Sequence, residues 1–287
     1  MIKTKTDIFT CVVDTISNEI ENAVKLSNSE PHETEMLIHE YRKIIKRIRA
    51  IIRLIRSSLK EETFYTLDSQ LSQIAKSVEE ARDSAVNLQS LLKLDSISKE
   101  NLPEEIKNKA IAELSKQYKL SYLDSQGGLS SKLKNVLNNL HNFLNELKDT
   151  GFGEIKPDQL LSTLLKSYYK AAQLYNDAYS SHEKEVIHKW RKYNKNLLLQ
   201  LLYSPLDIIK EEETVEQLDK LSDLLGIDHD YAELENNLIC NLNLSKDEVQ
   251  IVHRIIDNLR FRIQKKAFEI GRKLYSQPIK IYSSVLL

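Results

Sequence analysis

The eight residues HEYRKIIK at 39–46 return as HKWRKYNK at 188–195, the same H-x-x-R-K-x-x-K skeleton at an offset of 149 in a chain of 287 residues. A repeat at about half the chain length calls for one supersecondary unit built twice, and so limits the folds open to the chain. A second pair of segments agrees with it. ARDSAVNL (81–88) aligns with DHDYAELE (228–235) at an offset of 147, setting Asp83 against Asp230 and Ala85 against Ala232. Two matched segments, in one order and at nearly one offset, predict a duplication.

The repeated unit reads as helical. Six glycines and five prolines are few for this length, and apolar residues recur at three- and four-residue spacing. Helices are predicted over about 7–26, from about 34 to 59, over 68–93, 102–118, 129–149 and 158–180, through His188 to the break at SPLD (204–207), then over 212–226, 228–239 and 246–275. SNSEPHET (27–34) and DSQGG (124–128) read as breaks, with Ser29 or Thr34 as caps and Pro31 as a stop. TGFGEIKP (150–157) holds two glycines and a proline and is the expected domain boundary. The expected architecture is therefore all-α: two related helical bundles of four or five helices, residues 1–149 and 158–287, joined by 150–157 and facing each other.

The N-terminal MIKTKTDIF carries no apolar run of signal-peptide length, and no stretch reaches the roughly 18 apolar residues of a membrane span. Cys11 and Cys240 fall in predicted helices outside any CxxC spacing and are expected to be small core residues. The expected location is cytoplasmic, with no membrane partner.

A net charge of −1 hides a strong local bias. Residues 39–56 hold seven cations (Arg42, Lys43, Lys46, Arg47, Arg49, Arg53 and Arg56) against Glu40 alone, so this segment is +6 and the remainder −7. At about 100° per residue, His39 and all seven cations share one half of the helical wheel, while Ile44, Ile48, Ile51, Ile52 and Ile55 share the other. The stripe is about 26 Å long. Like charges at i,i+3 and i,i+4 repel by a few tenths of a kcal/mol per pair, so a helix that keeps them is expected to meet an anion. A nonspecific nucleic-acid binder would more often be basic throughout.

The second copy is shorter. His188, Arg191, Lys192 and Lys195 repeat the first four positions and Lys184 adds a turn, but Asn196, Leu198, Leu202 and Pro205 replace Arg47, Arg49, Arg53 and Arg56. Trp190 and Tyr193 fall on the far side and are expected in the core. The last helix adds Arg254, Arg262, Lys265, Lys266, Arg272 and Lys273, interrupted by Glu269.

No HxxxH or HExxH occurs among the seven histidines, and the cations around His39 and His188 would repel a metal, so no metal site is expected. His39 and His188 could face each other across the two halves, where hydrogen bonds to phosphate suit them better. No P-loop, glycine-rich phosphate cradle or G-x-S-x-G elbow appears, so neither a cofactor nor a catalytic residue is expected. Asp83 and Asp230, each following Arg82 or His229, are expected to orient cations through ion pairs.

IHEYRKIIKRIRAIIRLIR (38–56), IHKWRKYNKNLLLQLL (187–202), EARD (80–83), LLGIDHDYAEL (224–234) and RIQKKAFEIGRKLY (262–275) together resemble the CHAD family, the conserved histidine α-helical domain. The resemblance spans essentially the whole chain. It implies two helical bundles related by a pseudo-twofold with a basic groove between them, inorganic polyphosphate as the ligand, and association with polyphosphate granules and their proteins. By position it implies His39, Arg42, Lys43, Lys46, Arg49 and Arg53 as ligand contacts from the first block. From the second it implies His188, Arg191, Lys192 and Lys195, and beyond these Arg82, Arg262 and Lys265. The E-x-E-x-K strand of the CYTH triphosphatase domain often fused to this family does not occur, so a non-catalytic role is expected. The competing readings are nucleic-acid or phosphoanhydride-metabolite binding, a metal-assisted phosphohydrolase, and a helical scaffold for another protein. Nucleic acid is disfavoured because exposed aromatics do not interleave with the cations.

Overall fold

The computed structural model describes residues 6–28, 34–123, 128–150, 155–205, 208–210, 212–279 and 281–283. The described residues form ten helices: α1 (Thr6–Asn28), α2 (Thr34–Leu54), α3 (Glu61–Lys76), α4 (Glu79–Ile97), α5 (Glu104–Leu123), α6 (Gly128–Asp149), α7 (Pro157–Ser181), α8 (Lys184–Leu202), α9 (Glu212–Asn241) and α10 (Lys246–Leu274). Much of the expected breaks at 27–34, 124–128, 150–157 and 204–207 lies outside the described residues, as does His32.

Local chemistry explains several ends. Glu104 and Glu105 occupy the first turn of α5, where acids favour the helix dipole. Pro157 opens α7, where its missing N–H costs nothing. Ser245 and Glu248 exchange side-chain-to-backbone hydrogen bonds at the start of α10, a capping box. His182 ends α7 in the left-handed region at φ 54°.

The apolar half of α2 is deeply buried: Ile38, Tyr41, Ile44, Ile45, Ile48, Ile51 and Ile52 are all within 1% of full burial, as is Ile55 just past its end. α2 packs against α1, α3 and α8; α8 packs against α7, α9 and α2; α4 packs against α5 and α9. The two helices that carry the histidine motif therefore contact each other. The helices that carry the second repeated segment, α4 and α9, do the same. Contacts between equivalent elements are what a twofold interface requires.

The hydrophobic cores follow this interface rather than the sequence order. One core joins α1, α2, α3, α6, α7 and α8 with the start of α9 and the end of α10. A second joins Leu91, Leu94, Ile106 and Leu114 of α4 and α5 to Tyr231, Leu234, Ile255 and Leu259 of α9 and α10.

The repeats differ where the sequence reading placed breaks. A single helix was expected over 68–93, yet the chain bends at Ser77–Val78 between α3 and α4. No glycine or proline marks the bend; Val78 and Ala81 turn into the core there, and Ser77 Oγ donates to the Ile74 carbonyl. In the second half two helices were expected, and α9 runs unbroken through Gly226. A helix tolerates glycine at about 1 kcal/mol when packing holds both sides.

The all-α expectation holds with one small addition, and two other expectations are corrected. Ile208–Lys210 (β1) pairs antiparallel with Ile281–Ser283 (β2), which adds a small ribbon to an otherwise helical fold. Tyr193 is 41% exposed, although Trp190 on the same helix is fully buried. Cys240 is exposed and Cys11 half-buried.

Candidate functional site

The cations of the two motifs meet where α2, α4, α8 and α9 come together. Lys46 reaches solvent, but the surrounding walls strip part of its hydration, and Arg191, Arg42, Arg82 and Lys195 add repulsion. Together they push its ammonium down from 10.5 to about 8. Among the described residues no carboxylate pairs with Lys46. Arg191 stands beside it, its charge disfavoured by burial and by Arg82 and Arg42, with Asp230 opposing. Its buried Nε has no hydrogen-bond partner. Arg42 donates to the Ala75 carbonyl at 3.2 Å and lies 3.5 Å from Glu79, so α3 and the start of α4 orient it.

Asp83 and Asp230 orient Arg82. Arg82 lies 2.9 Å from Asp83 and 3.3 Å from Asp230, so an ion pair crosses from α4 to α9. Burial opposes the Arg82 charge, but Asp230 and Asp83 outweigh it and hold the guanidinium more basic than usual. Burial likewise opposes the Asp230 charge, and His229, Arg82 and Arg191 together hold that carboxyl below its usual range.

The two motif histidines do not pair with each other. His188 stacks on His229, ring centroids 4.6 Å apart and planes 25° apart. Burial, His229, Lys192, Arg191 and Lys184 push the His188 imidazole down to about 4. His39 is lowered by burial and by Lys43, with Glu40 opposing and Arg82 and Lys46 adding. Aligned by the repeat, Arg82 holds the place of His229, so each motif histidine has one basic residue from the second repeated segment beside it.

A cavity of about 250 Å³ adjoins this cluster between α8, α9 and α10. Lys184, His188, Arg191, Lys192, His229 and Arg260 line it, with Glu185, Asp228 and Glu233 as its acids. Lys192 is exposed, and Lys184 donates to the Ala232 carbonyl at 3.4 Å.

The structure divides the remaining sequence candidates. Arg49 and Arg53 both bind Asp68 of α3, with Nε–Oδ1 distances of 3.1 and 3.0 Å. Burial opposes the Asp68 charge, but hydrogen bonds and attraction from both arginines hold it below its usual range. Arg47 binds Glu19 at 2.9 Å and lies over the Tyr203 ring, and Arg56 lies over Phe64 and Tyr65. The α2 stripe is thus not an unpaired face along its length: beyond Lys46 its arginines are matched by acids and aromatics from α1, α3 and the chain after α8. Lys43 pairs with Glu40 at 2.8 Å and Lys195 with Asp219 at 3.8 Å, both at exposed or half-exposed positions. Arg262 donates to the Ile97 carbonyl at 3.3 Å, at the far end of α4, about 22 Å along that helix from Arg82. It does not join the cluster. Lys265 lies exposed on α10.

Sequence reasoning missed Asp228 and Arg260. Both are buried and paired, Arg260 Nε donating to Asp228 Oδ1 at 3.0 Å. Their signal was present as charged residues inside apolar stripes: Leu218, Leu221, Leu225, Asp228, Ala232 on α9 and Val252, Ile256, Arg260, Ile263, Ala267 on α10. A charge in such a register must find a buried partner.

A chain that is helical apart from one short ribbon among its described residues, with its two histidine-and-cation motifs on helices in contact, matches the CHAD domain family over residues 26–238, and the chain belongs to that family. Among solved structures it is similar to the CHAD domain from the plant Ricinus communis, with 15% identity and a TM-score of 0.67 over 96% of this chain and 94% of that one. It is also similar to PptA from Streptomyces chartreusis, with 13% identity and a TM-score of 0.63 over 96% and 99%. Comparison with curated proteins finds no match. Among the described residues no helix is long and apolar enough to cross a membrane.

Proposed function

We propose that this chain binds inorganic polyphosphate, without catalysing its reaction, in a basic groove along the seam of its two halves, 1–149 and 158–287. The observation that carries the reading is Lys46, a cation that faces four others with no carboxylate partner among the described residues. A fold that keeps such repulsion gains when a polyanion fills the gap. A flexible chain with about one charge per phosphate can follow Lys46, Arg42, Arg191, Lys195 and Lys192. Arginine binds phosphate oxygens with two parallel donors and lysine acts as a point charge. The unmet Nε of Arg191 supplies a further donor. His39 and His188 flank the seam as additional phosphate donors once protonated. Arg49 and Arg53, held on Asp68, extend the groove only if the ligand displaces that carboxylate, and Lys43 stands at its exposed rim. Binding of long chains gives a physical basis for attachment to polyphosphate granules in the cytoplasm.

The test is calorimetry with long-chain polyphosphate at two salt concentrations, comparing the wild type with Arg42→Glu/Lys46→Glu/Arg191→Glu, helicity being followed by circular dichroism. A milder variant, Lys43→Glu/Lys192→Glu, changes only exposed side chains. The expected result is tight binding that weakens steeply with salt, lost in the triple variant and reduced in the double. Absence of wild-type binding overturns the reading. So does equal competition by mixed-sequence DNA of matched charge, which would favour a general polyanion site.

A further inference from the structure

Away from the cation cluster, three potential ligands converge on the outer seam of α9 and α10. Glu235, His253 and Asp257 each offer an atom, and these atoms all lie within 4.8 Å of one another. His253 and Asp257 stand four residues apart on α10, the spacing that places two side chains on one helix face. Glu235 faces them from α9, its carboxylate buried and its Oε1 2.6 Å from His253 Nδ1. His253 and Asp257 reach solvent, which leaves an open route to the site.

The charge around the triad is unbalanced. Arg260 reaches the triad, but its Nε and Nη2 grip Asp228 at 3.0 and 3.5 Å, and Gln264 holds the same carboxylate at 2.9 Å. Only Nη1 turns toward the triad, 3.9 Å from Glu235 and 3.8 Å from Asp257. Three carboxylates, Asp228, Glu235 and Asp257, share the one guanidinium of Arg260, and two of them, Asp228 and Glu235, are buried. A buried carboxylate in this position calls for a counter-charge.

We propose that Glu235, His253 and Asp257 form a zinc site. One imidazole nitrogen and two carboxylate oxygens are a zinc donor set, and three protein ligands leave a fourth position for water. Arg260, fixed by Asp228, supplies the outer contact that orients the Glu235 carboxylate. Metal–ligand bonds of about 2.0–2.1 Å place tetrahedral ligand atoms about 3.3 Å apart. The exposed His253 and Asp257 close the remaining gap by small side-chain rotations. On binding, His253 Nδ1 gives up any proton it shares with Glu235, and its lone pair goes to the metal.

The test is titration of the full chain with Zn²⁺ in phosphate-free buffer, together with Co²⁺ substitution read by its visible absorption. One ion per chain is expected, with affinity reduced at least about tenfold in His253→Ala and in Asp257→Ala, and with tetrahedral cobalt bands. His188→Ala/His229→Ala, which removes the stacked histidine pair elsewhere in the fold, is expected to bind as the wild type does. Absence of one-to-one binding overturns the proposal, as does binding indifferent to His253→Ala and Asp257→Ala. Loss of binding in the His188/His229 variant would move the ion to the stacked pair and equally overturn it. No polyanion is present in the titration, so its outcome is independent of the polyphosphate reading.

Discussion

Replacing Lys46 with methionine keeps the aliphatic stem and deletes the charge, so it separates the needs of folding from those of binding. The fall of the Lys46 ammonium from 10.5 to about 8 sets an upper bound of about 3 kcal/mol on the penalty carried by its charged form. Because the side chain is exposed, solvent screening reduces that figure to about 1 kcal/mol. Lys46→Met is therefore expected to raise the melting temperature by about 2–4 °C near neutral pH, and to weaken polyphosphate binding. The pH dependence gives a second handle. Below about 8 both the folded and unfolded states carry the proton, so the penalty is fully present. Between about 8 and 10.5 the folded protein sheds the proton while the unfolded chain keeps it, so wild-type stability rises. The advantage of the variant should shrink across that window and vanish above it. Calorimetric melting from pH 7 to 10.5 measures both curves. A variant less stable than wild type at pH 7, or an advantage unchanged at pH 10.5, would refute the repulsion argument.

Three further outcomes are expected. His188 is neutral in the free protein above about 4, and a bound polyanion favours its protonated form; polyphosphate affinity should rise as pH falls from about 6.5 toward 4, with proton uptake visible as buffer-dependent binding enthalpy, and His188→Ala should flatten that slope. Asp68→Asn frees Arg49 and Arg53 together; chemical denaturation should show a loss of about 1–2 kcal/mol while polyphosphate binding strengthens, and unchanged binding would place these arginines outside the groove. Two helical glycines should respond oppositely to alanine. A Cβ at Gly271 would lie 2.7–2.9 Å from the Tyr175 and Trp190 rings, costing about 1–3 kcal/mol, whereas nothing lies within 4 Å at Gly226, where alanine should add about 1 kcal/mol; denaturant midpoints of the two variants report both.

The helical class, the motif-bearing helices and their direct meeting were legible because period and repeat are local properties of a sequence. The fate of individual cations was not. Arg47, Arg49 and Arg53 read as a helix lacking acids, but their partners Glu19 and Asp68 sit on other helices and become neighbours only through tertiary packing. The same limit hid the bend at Ser77–Val78, made by burial of Val78 rather than by a breaking residue. His188 was singled out correctly as a motif residue, yet its stacking partner proved to be His229 in the same half. That contact follows from α8 packing on α9, which no spacing rule specifies.

The concentration of positive charge in a chain of net charge −1 has a kinetic consequence. At physiological salt the field of a charge fades over about 8 Å, and beyond that distance the acids surrounding the seam cancel most of what the cluster projects. A polyanion approaching this protein is therefore not drawn in from afar, as it would be by a uniformly basic surface. It feels strong attraction only on contact. Capture should proceed at an ordinary diffusional rate that salt alters little, while the lifetime of the bound state carries nearly all of the salt sensitivity. Such a protein would ignore passing anions and hold on to the one long enough to span both halves.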